Sequence, residues 1–380
     1  MTIQAYAPGR TELAGNHTDH QGGRVIAAAV SCGVQVELTP NASSIAHVES
    51  EGFAPVMVDL SETEPFEDER FTTASLVRGV IAGLQAQGVD VPGFDVNVSS
   101  TVPAGGGLSS SAAFELALAV ALLEAASGTS DVQLDAVQLA RIGQAAERDY
   151  FGKPCGLMDQ LAVALGGVAA IDFKNEEAPE IEHILFDFEQ HGLALCLIDT
   201  HCDHSLYTKE YAQVARDMDD VAALMGVHVL SQVSERDFLD QLSVVREKLG
   251  DAPAMRALHY YRENRLVDAR VKALREGDAK AFLDYTRRSG ASSAQYLQNV
   301  STFDRVSQPA MAVLALADTL LNEEGACRIH GGGFGGSVQA FVPLDRVGYF
   351  TAEIDKHVGE GSCRAYRVDS HGARVNLVRE

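Results

Sequence analysis

The alternation of apolar and polar positions divides the chain into elements. In FDVNVSST, Phe94, Val96 and Val98 alternate with Asp95, Asn97 and Ser99, the two-residue period of a half-buried strand. The stretch PAGGGLSSSAA (Pro103 to Ala113) follows. FELALAVALLEAAS comes next, apolar on nearly every side, which predicts a buried helix ending at Gly128. From Thr73 to Ala86 the residues Leu76, Val77, Val80, Ile81 and Leu84 fall at helical spacing. Residues 134 to 150 predict another helix, with Leu139, Ile142, Ala146 and Tyr150 on one face. Gly152-Lys153-Pro154 breaks it before a further helix in CGLMDQLAVALGG. Ahead of these, residues 3 to 7 read as a short strand that stops at Pro8-Gly9, and TELAGNHTDHQGG as a polar loop. RVIAAAVSCGVQVELT reads as a strand pair, and residues 41 to 70 as short strands with acidic turns.

GGVAAIDF predicts a strand, and FKNEEAPEIEH an acidic loop or hairpin near a domain boundary. LALCLIDT is then a buried strand, and YAQVARDMDDVAALMG a helix with an acidic outer face. Two or three more helices reach Leu321. GACRIHGGGFGGSVQAFVPL reads as strand, glycine turn, strand, before a helix near 346 to 358 and a strand at CRAYRVD. No repeat or low-complexity tract interrupts this order. Helices and strands mix without a regular βαβ rhythm, so the expected class is α+β. At about 150 residues per domain, 380 residues predict two domains, placed at 1–190 and 191–380.

A formal net charge of −23 argues against nucleic acid or an anionic membrane as partner, since both are polyanions. An anionic ligand such as ATP needs only a local run of donors. The six cysteines are scattered, with no CxxC pair, which suits reduced thiols. MTIQAYAPGR lacks the charged and apolar regions of a signal peptide. The helix after Ser111 carries Glu115 and Glu124 and is short for a membrane span. The expectation is a cytoplasmic protein with no obligate protein partner.

Several stretches carry candidate chemistry. The glycines of PAGGGLSSSAA let the backbone turn and approach a ligand, and its serines open a helix whose first N–H groups favour an anion. It lacks the GK[ST] ending of a Walker loop, so either another phosphate cradle or a packing turn fits. Gly331 to Gly336 formally matches GxGxxG, but a strand follows where a dinucleotide site needs a helix. GRTELAGNHTDHQGG packs Arg10, Glu12, Asn16, His17, Asp19 and His20 together, a density that suits sugar hydroxyls. A metal site from His17, Asp19 and His20, or a solvated loop, are the alternatives. HCDH at 201–204 raises the same question for zinc, at a spacing that matches no standard finger. Asp159 lies one turn into a helix between apolar neighbours. A buried carboxylate there needs a cation, for which Arg10 is the candidate. On pattern alone, Glu147 reads as a surface charge.

Taken in order, these pieces resemble the GHMP small-molecule kinases, and among them the galactokinase family. GRTELAGNHTDHQGG is similar to the galactokinase signature, PAGGGLSSSAA to the family's ATP loop and CRIHGGGFGGSVQAFV to its third motif. PCGLMDQ and HSLYTKEY match further segments. The resemblance implies a ribosomal-protein-S5-like N-terminal domain and a ferredoxin-like C-terminal domain with the site between them. The implied activity is transfer of a phosphoryl group from ATP to the C1 hydroxyl of a sugar. Gly105, Gly106, Gly107, Leu108, Ser109, Ser110 and Ser111 would hold the ATP phosphates, and Ser111 and Glu147 would ligate Mg²⁺. Asp159 would orient or deprotonate the hydroxyl, and Arg10 would stabilise the transferring phosphoryl and keep Asp159 ionised. Asn16, His17, Thr18, Asp19, Gly156 and Tyr211 would hold the sugar, and the third motif would be structural.

The chain departs from that pattern at Asn16, where the family carries the Glu that accepts from the sugar's C6 hydroxyl. His20 replaces Tyr, and Glu12 stands where Asn is frequent, so the acid has a second place to sit. D-galactose is the expected sugar. Galacturonate or another galactose-like sugar, and a non-catalytic sugar and ATP sensor, are the alternatives.

Overall fold

The computed structural model describes residues 1–379 apart from 104–105, 131, 203–206 and 302–303. Gly105 and His204 therefore lie outside the described residues. In chain order the elements begin with β1 (Thr2–Ala14), β2 (Arg24–Asn41), β3 (Ile45–Ser50), β4 (Val56–Asp59), α1 (Thr73–Ala86) and β5 (Gly93–Ser100). Next come α2 (Ser110–Ala126), α3 (Ala136–Ala145), α4 (Met158–Leu165), β6 (Val168–Asp172), β7 (Glu180–Ile184) and β8 (Leu193–Asp199). Helices α5 (Thr208–Leu224), α6 (Glu235–Leu249), α7 (Asp251–Arg275), α8 (Ala279–Ser292) and α9 (Pro309–Leu321) follow. The chain ends with β9 (Ala326–Ile329), β10 (Ser337–Pro343), α10 (Val347–Val358), β11 (Cys363–Tyr366) and β12 (Arg374–Arg379). The class is α+β, as expected.

Two sheets organise the fold. The first runs β12-β1-β2-β5-β3-β4, with β6 and β7 continuing from the early part of β2. The second runs β11-β8-β10-β9, all antiparallel. In order along the chain its strands sit fourth, first, third, second, joined as βαββαβ, the ferredoxin-like arrangement. Helices α1, α2 and α3 cover the first sheet in one apolar core, and α9 and α10 cover the second in another. Between them, residues of β1 and β2 meet β8, α7, α8 and the ring cluster of Phe186, Phe188, Phe282 and Phe341. Among the described residues no helix is long and apolar enough to cross a membrane.

Helix α1 takes the expected bounds. Other elements differ, each for a physical reason. β1 does not stop at Pro8-Gly9. β12 pairs only as far as Tyr6, so the missing N–H of Pro8 costs no ladder bond on that side, and the register against β2 shifts between Pro8 and Gly9. The strand consequently carries Thr11 to Ala14 out of the predicted loop. β2 is one 18-residue strand and not a pair, because β6 flanks its first part and β5 its second. The helix over 134–150 becomes α3 followed by a π turn at Ala146–Phe151. Four helices, α6 to α9, follow α5 where two or three were expected. β12 returns to the first sheet, so the division at 190/191 does not coincide with sheet membership at the end of the chain.

Helix α7 shows how the two halves are joined. It buries Arg256, His259, Glu263 and Arg270 along with its apolar residues. Glu263 accepts from Arg270 at 2.5 Å, Ser289 Oγ at 2.8 Å and the N–H of Gly15 at 3.2 Å, while Arg270 donates to the Leu13 carbonyl at 3.0 Å. Burial alone would raise the Glu263 pKa, but Arg270 outweighs it and holds the carboxyl below its ordinary range. Removing one member of a buried pair strands the other charge, which costs about 3–5 kcal/mol. Glu263→Gln is therefore expected to lower stability by about that much, and Glu263→Gln with Arg270→Met to recover much of the loss, as read by urea denaturation.

Candidate active site

Arg10, near the middle of β1, reaches across to Asp159 in the first turn of α4. Its Nε donates to Oδ1 at 2.6 Å and its Nη2 to Oδ2 at 2.5 Å, while Nη1 donates to the Gly107 carbonyl at 2.5 Å. Ser109 Oγ also donates to Asp159 Oδ2. Burial works against the Asp159 charge, but Arg10 and the Ser109 hydroxyl hold its pKa below the ordinary carboxylate value. Burial likewise opposes the Arg10 charge and Asp159 more than offsets it, so the guanidinium titrates above its ordinary range. Ser109 takes φ 54°, a left-handed backbone that strains a non-glycine residue and aims its hydroxyl at the carboxylate. No side chain caps the N-terminus of α2 that begins just after it.

Ser111, in the first turn of α2, donates to Glu147 Oε1 at 2.9 Å. The surface reading of Glu147 is overturned: the π turn at the end of α3 swings the residue inward, and it is 1% exposed. Lys153 Nζ donates to the same Oε1 at 2.7 Å, and Gln160 Nε2 donates to Oε2 at 2.8 Å. Gln160 also reaches Glu115 at 3.2 Å. Burial, reinforced by Glu147, holds Glu115 well above the usual carboxylate range.

A cleft of about 500 Å³ opens beside Asp159 and Lys153, lined by these two with Arg10, Glu12, His17, Asp19, His20, Gly156, Tyr211 and Gly332 among others. Gly156 lies so near Asp19 that an added Cβ would come within 2.6 Å of Oδ2, and one on Gly332 would come within 2.0 Å of the Tyr211 ring. Burial and the neighbouring Glu12 raise Asp19 to about 6. His17 donates from Nε2 to the Gly332 carbonyl at 2.9 Å and turns Nδ1 to His20 Nε2 at 3.4 Å. The two imidazoles thus face each other, and burial lowers them to about 3 and about 4, so both are neutral near pH 7. Tyr211 stacks 5.3 Å from His17 at the half-exposed rim.

Two predicted sugar contacts fall elsewhere. Asn16 is fully buried, and its amide is used up: Oδ1 accepts from Asn299 at 2.7 Å and Nδ2 donates to the Gly331 carbonyl. Thr18 is buried too, its hydroxyl turned to the Gly15 and Arg24 carbonyls. Both brace the loop from behind the cleft wall. In the HCDH stretch, His201 bonds Ser362 at 2.8 Å, and among the described residues no group of three or more His, Cys, Asp or Glu is placed to hold a metal.

Several residues at the site had no individual role in the sequence reading, although Arg328, His330 and Ser337 lie in the third motif. His330 on the turn after β9 accepts at Nε2 from the N–H of Glu12 at 3.3 Å, which leaves Nδ1–H to donate to Ser337 Oγ at 3.0 Å. Ser337 in turn donates to the Gly106 carbonyl at 3.2 Å. Arg328, fully buried, pairs with Glu12. His259 holds the Asn16 carbonyl at 2.9 Å. The third glycine motif thus braces both the phosphate loop and the signature loop. The long separation along the chain hid their partners.

A glycine-serine loop at a helix start, a Ser–Glu pair beside it and a clamped carboxylate lining one cleft, on this two-sheet frame, define a GHMP-type small-molecule kinase. The family described as "GHMP kinases N terminal domain" matches residues 75–167, and the "Galactokinase galactose-binding signature" matches residues 2–40. A galactokinase of Streptomyces coelicolor is 32% identical over 97% of this chain and 92% of its own. One of Mannheimia succiniciproducens is 30% identical over 91% and 86%. The chain belongs to the galactokinase family. A solved structure of Lactococcus lactis galactokinase complexed with galactose superposes with a TM-score of 0.82, covering 98% of this chain and 95% of that one at 24% identity, a likeness of fold.

Asp19 yields a signed prediction. Its folded-state pKa, about 6, lies above the ordinary 3.8, so between these values the folded protein holds the proton more tightly than the unfolded one. Stability is fully present below about pH 4, falls as pH rises through 6, and stays reduced above it. Asp19→Asn is expected to raise Tm at pH 7 and to leave it unchanged near pH 3.5. An equal Tm at pH 7 would refute the raised pKa.

Proposed function

We propose that the protein transfers the γ-phosphoryl group of ATP to the C1 hydroxyl of D-galactose, with Mg²⁺ as cofactor. The observation that carries this reading is the Asp159 carboxylate, kept ionised inside the cleft by Arg10 and Ser109, beside the Ser111–Glu147 pair at the start of α2. Phosphoryl transfer asks a protein mainly for positioning and for cationic stabilisation of the equatorial oxygens. Asp159 accepts the hydrogen bond of the attacking hydroxyl and aims its lone pair. With a lowered pKa it is a weak base and a good orienter, and it takes the proton late, as the bond to phosphorus forms. Arg10 holds Asp159 in place with its inner edge and keeps a positive charge beside the transferring group. The N–H groups opening α2 receive the phosphates.

The hard oxygens of Ser111 and Glu147, 2.9 Å apart and buried on one side, suit a divalent cation that keeps its remaining coordination for phosphate and water. Once bound there, Mg²⁺ would neutralise charge on the β- and γ-phosphates. Asp19, His17 and Tyr211, with the bare backbone of Gly156 and Gly332, form the wall offered to the sugar. Arg10 matches Asp159 and Arg328 matches Glu12, so Asp19 is the acid of that wall that would repel a hexuronate carboxylate, which favours a neutral hexose.

Two measurements test this reading. ADP release is followed with galactose, galacturonate, N-acetylgalactosamine and arabinose, and galactose is expected to turn over fastest. Turnover with none of them would leave a binding protein. Asp159→Asn is expected to cut kcat by about 10²–10⁴-fold while ATP affinity changes little, and appreciable turnover by that variant would remove Asp159 from its role.

A further inference from the structure

Lys153 has no part in the roles given so far, yet its ammonium stands at the centre of the site. Nζ donates to Glu147 Oε1 at 2.7 Å, the same oxygen that takes the Ser111 hydroxyl at 2.9 Å. Glu147 is buried and its other oxygen is occupied by Gln160, so Oε1 is the oxygen it shares with Ser111 and Lys153. Lys153 lines that cleft with Arg10 and Asp159.

The backbone restricts where this ammonium can go. The N–H groups of Gly152 and Lys153 both donate to the Glu147 carbonyl, at 3.1 and 3.0 Å. Gly152 takes φ 91°, and Pro154 on the other side confines Lys153 to extended conformations. With its backbone N–H held by the carbonyl of Glu147, the half-exposed Lys153 side chain stays next to that carboxylate and can swing off it toward the cleft it lines. Arg10, by contrast, has its charge matched by Asp159 and three of its N–H groups engaged.

Resting on the phosphoryl-transfer reading, we propose that Lys153 is a second cation of the reaction. It shares Glu147 Oε1 with the divalent metal, yields that oxygen when the metal–nucleotide binds, and turns its ammonium to the triphosphate. The site thus keeps Glu147 matched by a cation at every stage and gains a mobile positive charge when the polyphosphate arrives.

The test separates this from a surface ion pair. Mn²⁺ binding to the nucleotide-free full-length protein is titrated by the loss of the free-ion EPR signal, for wild type, Lys153→Met and Lys153→Arg. Freed of its competitor, Lys153→Met is expected to bind Mn²⁺ about threefold to fivefold tighter, the worth of one half-exposed ion pair. Its kcat with galactose and saturating Mg²⁺·ATP is expected to fall about 10²-fold, with partial recovery in Lys153→Arg. Opposite signs in the two assays exclude simple loss of structure, which would weaken both. Unchanged or weaker Mn²⁺ binding by Lys153→Met, or an unchanged kcat, overturns the proposal. Wild type that turns over no sugar would instead defeat the kinase reading, a result the metal titration cannot mimic.

Discussion

The clamp between Arg10 and Asp159 is the constraint on which the site depends. It joins β1 to α4 and, through the Gly107 carbonyl, to the phosphate loop, so three segments far apart in sequence meet at one guanidinium. Such a pair adds little net stability, because stripping water from two charges costs about as much as their attraction returns. Its value lies in what each partner forbids the other. Without Arg10, the buried carboxylate would take up a proton and cease to accept from a hydroxyl. Without Asp159, the guanidinium would be free to leave the cleft wall. Ser109 is drawn into the same geometry at the expense of a left-handed backbone, strain that sits where the chain turns into α2.

A clamp of this kind holds only if the loops beneath it are fixed, and the second half of the chain fixes them. Residues 12 to 16 are gripped by Arg328, Arg270, Glu263 and His259, and Gly106 by Ser337. The hydrogen bonds have a fixed sense. The N–H of Glu12 sets the His330 tautomer, which sets the direction of the Ser337 hydroxyl, which points at the Gly106 carbonyl. Neither half alone could satisfy these buried polar groups, and an unpaired one would cost about 1–3 kcal/mol each. The cleft forms at the seam because the seam is where the polar backbone of both glycine loops finds its partners.

Local signals in the sequence were enough for elements whose neighbours agree with them. The spacing of Leu76, Val77, Val80, Ile81 and Leu84 fixed the reading of α1, and the glycine turn between β9 and β10 stood out by composition. β12 was not legible. RVNLVR is short, half polar and terminal, and it is a strand only because β1 offers an open edge. Pro8-Gly9 misled because the rule that proline ends strands assumes both sides of the strand are paired. The Arg10–Asp159 pair could be anticipated from the need of a buried carboxylate for a cation. Glu147 could be placed only through the family resemblance, since a single π turn decides which way it faces and no residue pattern announces that turn.

Asn16 shows how a departure in a motif can mean something other than a changed contact with the ligand. Its amide accepts from Asn299 and donates to the Gly331 carbonyl at once, which needs an acceptor and a donor on one short side chain. A carboxylate in that place would set negative charge against the carbonyl oxygen of Gly331. The neutral amide is therefore part of how this chain holds its glycine turn, and the turn in turn carries the Gly332 carbonyl that orients His17. Four residues earlier, Glu12 lines the cleft and is matched from behind by the buried Arg328. A carboxylate at that position has a dedicated counter-charge, which one at 16 would lack beside the Gly331 carbonyl. The groups that still face the cleft are Glu12, Asp19 and the neutral His17–His20 pair, and the hydrogen bond of His17 to the Gly332 carbonyl sets the tautomers of that pair from within the protein.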